Sequence, residues 1–468
     1  MKRIAIVGGG VSGLAAAFSV EQARRAGAAV EYQLFEAGSR LGGVLLTERV
    51  DDCLVEAGPD SFLTEKTWAS DFCRELGMGD QLIGSNDSIR KTYILQNGRL
   101  VPMPDGLMFM VPTKILPVVA SSLFSFSTKL RMAREWFHRV SKADGDESVA
   151  ALVERHYGRE MVDRLVDPLL SGMYGGDASH LSVRAVLPRF ADIEANSGSL
   201  GKAMLAARKK APAGVAKPLF TTLKGGMQQI SDAMVKQLPG ASVRCGVAVD
   251  AVRPGAKSWT VVAGGEESLF DGVLVAVPAQ TAARLLQASS QDLALELRGI
   301  EYSSAVTVAL GYGLEVREAL PPGFGFLVPR AEGKRLMAAT FVHNKFDHRV
   351  PEDRALVRCF LGGSQDERAL DLSEADIIEI VRDELRQILG ITVEPLFGRV
   401  YKWPGAMAQY NVGHLDRLQR IEALRLKFVT LALSGNGYRG IGVPDCIRSG
   451  REAALQIMSV LGAVPVPA

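Results

Sequence analysis

The chain opens on a charged pair, Lys2-Arg3, followed by four consecutive apolar residues, Ile4 to Val7. A short unbroken apolar run that leads directly into glycines reads as a strand buried on both faces. An alanine-rich stretch from about Ser12 to Arg25 follows with helical spacing, and a second apolar run, Tyr32 to Phe35, ends at Glu36. Strand, glycine turn, helix and strand make the start of a βαβ unit. Residues 101–165 are expected to be mostly helical, with a proline-punctuated apolar entry and a basic continuation through Lys129, Arg131, Arg134 and Arg139. From Ser242 to Val277 the period drops to two: Val243, Cys245, Val247 and Val249 alternate with other residues, and Trp259 and Val261 repeat the pattern. With the buried run Val273 to Val277, this predicts a small sheet appended to the first unit. Residues 300–365 are strand-rich. Ile377, Ile378, Val381, Leu385 and Ile388 mark a helix over 373–389, with Ser373 as its cap. The last segment reads as strand (Phe428 to Leu433), glycine turn and helix (Ile447 to Leu461), with no internal repeat.

At 468 residues the chain is long enough for about two to three domains. A net charge of +2 argues against nucleic acid as a partner. The cysteines at 53, 73, 245, 359 and 446 form no C-x-x-C pair, and the histidines lack H-E-x-x-H spacing. Neither a disulfide framework nor a metal is therefore expected. The run Ile4 to Val7 is too short for a signal peptide, so the chain reads as cytoplasmic. Leu107 to Phe126 is the most membrane-like stretch, but Pro112, Lys114 and Pro117 interrupt it and it is not expected to span a bilayer. Followed by basic residues, 107–140 suits either docking on a membrane surface or lining a cavity.

Gly8-Gly9-Gly10-Val11-Ser12-Gly13 matches G-x-G-x-x-G between the first strand and helix. Gly8 permits the turn, Gly10 lets backbone approach a pyrophosphate at the helix N-terminus, and Gly13 lets helix and strand pack closely. Glu36 ends the second strand where a ribose hydroxyl would be bound. The motif alone serves NAD as well as FAD. The following residues, Glu36-Ala37-Gly-Ser-Arg40-Leu-Gly42-Gly43, favour FAD: Arg40 can neutralise pyrophosphate charge, and the paired glycines can lie close to a ribityl chain. They resemble the second fingerprint of the amine-oxidase-like flavoproteins. Gly58, Pro59, Asp60 and Ser61 resemble that superfamily's next element, which passes along the flavin ring. Gly435 to Asp445 supplies a second glycine-rich helix N-terminus for the same cofactor. These elements predict an α/β fold in which a Rossmann-type FAD-binding domain accompanies a mixed α+β substrate domain and a helical domain. The FAD domain is assigned 1–75, 218–285 and 400–468. The substrate domain is assigned 76–100 and 286–399, and the helical, membrane-associated candidate 101–217.

Ala57-Gly-Pro-Asp-Ser-Phe-Leu63, Asp167-Pro-Leu-Leu-Ser-Gly-Met-Tyr-Gly-Gly-Asp177, Lys402-Trp-Pro404 with Gln409-Tyr-Asn-Val-Gly-His414, and Gly440-Ile-Gly-Val-Pro-Asp445 narrow the likeness. With them the chain resembles, nearly end to end, the bacterial oxygen-dependent porphyrinogen oxidases of haem synthesis. The resemblance implies non-covalent FAD, a tetrapyrrole substrate and O2, with hydride passing to flavin N5 and H2O2 released. It implies that Val247 contacts the adenine side and that Trp403, Ile441, Gly442 and Val443 line the flavin. It implies further that Gly172, Tyr174 and Gly175 face the tetrapyrrole, with Phe324 and Leu327 opposite, and that Lys66 meets a propionate. No catalytic side chain is identified from the sequence, flavin N5 being the hydride acceptor. Coproporphyrinogen III is slightly favoured over protoporphyrinogen IX, with Lys66, Arg90 and Lys91 as candidate cations. An amine oxidase or carotenoid-type desaturase of the same superfamily is the alternative. A homodimer and a haem-pathway partner stay open.

Overall fold

The computed structural model describes residues 1–140, 145–210 and 217–463. Its first apolar run is the strand Lys2–Val7, the centre of a five-stranded parallel sheet. In order across the sheet lie Val243–Cys245, Val30–Glu36, Lys2–Val7, Gly272–Val275 and Leu431–Leu433. Strands from three distant stretches of chain share this sheet, so it closes only when both ends of the sequence meet. Alternation explains the unbroken apolar run: Ile4 and Ile6 pack into one core, Ala5 and Val7 into another. The first face is covered by the helices Val11–Arg25 and Val443–Val460. The second carries the antiparallel trio Val249–Pro254, Trp259–Ala263 and Glu266–Phe270 and the helices Ala279–Leu286 and Gln291–Arg298.

A seven-stranded sheet follows the order Phe397–Ala408, Tyr302–Gly313, Arg354–Gly362, Ala338–Phe341, Gly325–Leu327, Thr92–Gln96, Arg99–Pro102. It is antiparallel except where Gly325–Leu327 runs parallel to Thr92–Gln96. The helix Glu374–Leu389 lays Ile377, Val381 and Leu385 into its core, and the Ser373 hydroxyl caps that helix by accepting from the Asp376 amide. Between the sheets in sequence lies a helical region that includes Phe126–Glu135, Val149–Tyr157, Asp167–Tyr174, Pro188–Ser197 and Leu200–Lys210.

Three expectations need correction. Residues 101–112 form short strands and turns rather than helix: Arg99–Pro102 pairs with Thr92–Gln96, and Leu107–Met108 with Val111–Pro112. Pro102, Pro104 and Pro112 withhold the amides a helix needs. Val243 and Cys245 join the edge of the parallel sheet, not the small antiparallel one. The last helix begins at Val443, four residues before Ile447, because Pro444 occupies its first turn, where its missing N–H costs nothing.

Candidate active site

The cofactor cradle is shaped first by what glycine lacks. Gly8 takes φ of +106°, and a Cβ on Gly13 would fall on the Gly8 carbonyl oxygen. Gly10 differs: a Cβ there meets nothing within 4 Å. It is the N-cap of helix Val11–Arg25, and no side chain caps that end. The helix terminus thus offers amides and open space for an anion. Val11 and Ser12 make the first buried turn. Glu36 faces this turn, accepting from the Gly9 amide at 2.6 Å and the Gly38 amide at 2.8 Å. Ala37 is exposed beside it. Val247 is hydrogen-bonded through its amide to the Glu36 carbonyl at 2.9 Å, which sets it beside Glu36. Gly42 donates to the Gly9 carbonyl, folding Gly42-Gly43 onto the first motif. Arg40 spends its guanidinium on carbonyls of its own loop, those of Leu41, Leu45 and Gly43.

The C-terminal helix brings a second free N-terminus. Gly442 is its N-cap, again without a side-chain cap, and Val443 is its first residue. Gly450 lets the helix lie directly on the Ser12 backbone. Cys446 faces Ser12, and burial pushes its thiol pKa up to about 12. Together the open Gly10 position, two uncapped helix ends and Glu36 fit an FAD.

The segment from Gly58 to Ser61 carries a buried ion cluster that no motif announced. The Gly58 carbonyl accepts from Arg358, and Pro59 leads to Asp60, which pairs with Lys345 at 2.9 Å. The Ser61 hydroxyl donates to Asp60 at 2.7 Å. Burial alone would raise the Asp60 carboxyl. Lys345 and Arg358 reverse that and hold it below the usual carboxylate range. Beside them Glu56 pairs with Arg349, itself 1% exposed. The Trp403 indole donates to the Ala57 carbonyl at 2.9 Å, tying the long strand Phe397–Ala408 to this segment.

That strand's continuation, Gln409 to His414, is a clamp. Gln409 donates through Nε2 to the Tyr174 carbonyl at 2.8 Å and to Ser303 Oγ at 2.9 Å. The Tyr410 hydroxyl donates to the Asn436 carbonyl at 2.7 Å and accepts from the Gly440 amide at 2.8 Å. His414 Nε2 lies 3.0 Å from the Tyr438 carbonyl, its ring stacked on Tyr410. One short segment therefore fixes both the turn at Tyr174-Gly175 and the second glycine loop. Tyr174, Leu327 and Ile441 pack against one apolar cluster, and Gly172 sits beside Leu327. Phe324 is buried outside that cluster, its amide bonded to the Lys91 carbonyl. Lys66 is engaged with Asp445 at 2.7 Å, and Asp445 in turn raises the Tyr174 phenol after burial has done so, to about 12.

A family model described as flavin-containing amine oxidoreductase matches residues 11–458. Over 470 residues the chain is 34% identical to the coproporphyrinogen III oxidase of Bacillus subtilis strain 168, covering 98% of both chains. It is 29% identical to protoporphyrinogen oxidase 1, chloroplastic, of Arabidopsis thaliana, over 97% of this chain and 87% of that one. A crystal structure from Exiguobacterium sp. 255-15, described as a protoporphyrinogen oxidase, superposes with a TM-score of 0.88 at 28% identity, covering 98% of this chain and 99% of its own.

Proposed function

The chain belongs to the flavin-containing amine oxidoreductase family and is an FAD-dependent oxidoreductase; from that premise we propose that it oxidises a porphyrinogen to a porphyrin in haem synthesis, with coproporphyrinogen III as the preferred substrate. The observation that carries this reading is the clamp at Gln409 and Tyr410, which ties the cofactor loop to the apolar wall of Tyr174, Leu327 and Ile441. A large apolar macrocycle needs such a wall held in register with the cofactor. FAD held at the helix ends of Gly10 and Gly442 would supply a hydride acceptor for a bridging carbon of the substrate while a pyrrole N–H loses its proton, and O2 would take up the resulting two electrons and two protons as H2O2. The protein's own task is to orient and to exclude water. The turn at Gly172 and Tyr174 and the strand at Leu327 lie against each other and supply one apolar surface. The half-buried Cys446 thiol, its pKa raised, supports non-covalent FAD, since a thiol at neutral pH is a poor nucleophile.

Preference for four carboxylates over two is supported by a cavity of about 330 Å³ beside Ser171 and Val328, the immediate neighbours of Gly172 and Leu327. Arg330, Lys334 and Arg335 line it against Asp167 and Asp366. Arg330 and Arg335 are paired with those carboxylates, whereas the only bond of Lys334 among the described residues is to neutral Gln387. One cation is left for an incoming propionate. Adding each porphyrinogen anaerobically should bleach the flavin, and kcat/KM measured in one detergent should favour coproporphyrinogen III. A tenfold preference for protoporphyrinogen IX would overturn the choice and leave the porphyrinogen reading standing; no bleaching with either would overturn both.

We infer also a peripheral contact with anionic membranes. No helix among the described residues is long and apolar enough to cross a bilayer. Yet Leu116, Phe126 and Phe137 are 81%, 82% and 79% exposed, beside Lys114, Arg131 and Arg134. Apolar side chains rimmed by basic ones suit an interface and a poorly soluble product. Co-sedimentation with phosphatidylserine vesicles at low salt tests this, and a protein that stays in the supernatant removes it.

A further inference from the structure

Three helices of the helical region bring two histidines and a glutamate together in a cluster that neither the cofactor nor the substrate reading uses. His156 lies on Val149–Tyr157 and Glu194 on Pro188–Ser197, while His138 follows the end of Phe126–Glu135. The side chain of His156 is fully buried and that of Glu194 nearly so. His156 Nε2 is 3.0 Å from Glu194 Oε1, and its Nδ1 is 3.2 Å from Glu135 Oε1. The His138 ring packs on that of His156, with centroids 4.3 Å apart. His138 Nε2 is buried and has no hydrogen-bond partner among the described residues. One donor atom each from His138, His156 and Glu194 falls within 4.8 Å of the others.

We propose that His138, His156 and Glu194 form a zinc site that staples the three helices. Two imidazoles and a carboxylate are a donor set that Zn²⁺ favours, with water in the fourth position. Glu135 supplies the orientation. The Leu200 amide at 2.6 Å and the Ser199 hydroxyl at 3.1 Å hold its carboxylate, which is thereby fixed to accept Nδ1–H of His156. A carboxylate on one nitrogen of a metal-binding histidine fixes the tautomer and aims the other nitrogen at the ion. Arg155 grips Glu194 at 2.9 Å and Glu147 at 2.7 Å, and Glu194 Oε2, which accepts from Arg155 once at 3.0 Å, retains a lone pair for a metal.

The charges agree with this. Both nitrogens of His156 face carboxylates, Nδ1 that of Glu135 and Nε2 that of Glu194. Glu135, Glu147 and Glu194 have the Arg155 guanidinium among them. Zn²⁺ beside three carboxylates and one guanidinium would make these charges neutral together. Tetrahedral Zn–N bonds of about 2.0–2.1 Å place ligands roughly 3.4 Å apart. His138 must therefore close in. It lies beyond the helix end, and its Nε2 has no bond to break.

The test uses FAD-loaded protein, stripped with a chelator and titrated calorimetrically with Zn²⁺. About one ion per chain is expected, with a rise in thermal midpoint. His138→Ala should lose at least tenfold in affinity while keeping flavin content and circular dichroism, and Glu194→Gln should weaken binding likewise. His180→Ala with His348→Ala removes two exposed histidines and should bind as the parent does. Absence of micromolar binding by the parent overturns the site. So does a His138→Ala protein that binds as tightly as the parent, or loss of binding in the exposed-histidine control.

Discussion

On the nucleotide side of the site, Gly8, Gly13 and Gly450 make room through the side chain they lack, and backbone meets backbone directly. On the side of Tyr174 the chain is held by side chains that reach across the molecule: Gln409 to Tyr174, Tyr410 to Asn436 and Gly440, Trp403 to Ala57. The first kind of construction tolerates no added atom. The second tolerates changes of shape but not the loss of a donor or acceptor. Dinucleotides share one pyrophosphate, so a backbone cradle can be local and fixed, whereas an apolar macrocycle needs a wall assembled from distant segments.

The largest effect should come from Gly13→Val set beside Gly10→Val. At Gly13 the added carbon overlaps the Gly8 carbonyl oxygen, and helix and strand must separate. That costs enough of the ordinary margin of about 5–15 kcal/mol that little folded protein should accumulate. At Gly10 the added carbon meets open space, so the protein should fold with normal circular dichroism and retain less than a tenth of its flavin absorbance. Equal flavin content in Gly10→Val and the parent would mean that the pyrophosphate does not lie there.

This contrast also explains what could be read in advance. The glycine motif, Glu36 and the buried strands follow from local spacing, because backbone clearance is a property of consecutive residues. The ion cluster of Glu56, Asp60, Lys345, Arg349 and Arg358 joins residues some 290 positions apart, and no periodicity marks it. Gln409, Tyr410 and His414 stood out as a family motif, yet their role as a clamp appears only with the loops they bond. The zinc candidates escape for the same reason: His138, His156 and Glu194 have no ligand spacing along the chain.

Asp60→Asn probes the side-chain half next. It leaves Lys345 and Arg358 without their carboxylate, and breaking a buried pair costs about 3–5 kcal/mol. The sign with pH follows from the lowered pKa of Asp60 in the folded chain. Its contribution is complete above the unfolded carboxyl pKa of about 3.9 and is lost as pH falls below that toward the folded value. The stability gap between parent and Asp60→Asn, measured by urea unfolding, should be constant from pH 8 to 5 and narrow below pH 4. A gap that stays constant down to pH 3 would show that Asp60 is not the group being titrated.

Tyr410→Phe should be milder. It strands the Asn436 carbonyl and the Gly440 amide, at about 1–3 kcal/mol. Because both belong to the second glycine loop, the loss should fall on flavin affinity more than on global stability, raising the FAD dissociation constant about tenfold. A fall in melting temperature with unchanged FAD affinity would reassign Tyr410 to general packing.

The smallest effect expected is at Lys66, and it distinguishes a substrate contact from a structural one. In the folded chain its ammonium is already paired with Asp445, so a propionate must share or replace that partner. The lysine side chain is 38% exposed, and such a contact is worth about 1 kcal/mol or less. Lys66→Met should therefore raise KM several-fold for a porphyrinogen bearing free propionates and leave kcat nearly unchanged. The same substitution also leaves buried Asp445 with only the more distant Arg448, 4.0 Å away, which by itself would disturb the loop Gly440 to Gly442 for any substrate. A propionate ester separates the two, since it keeps the macrocycle and removes the charge. If Lys66 meets a propionate, the parent should already bind the ester weakly, and Lys66→Met should not weaken it further. If KM rises equally for acid and ester, Lys66 serves only to hold Asp445, and the four-carboxylate preference would have to rest on Lys334 and its cavity alone.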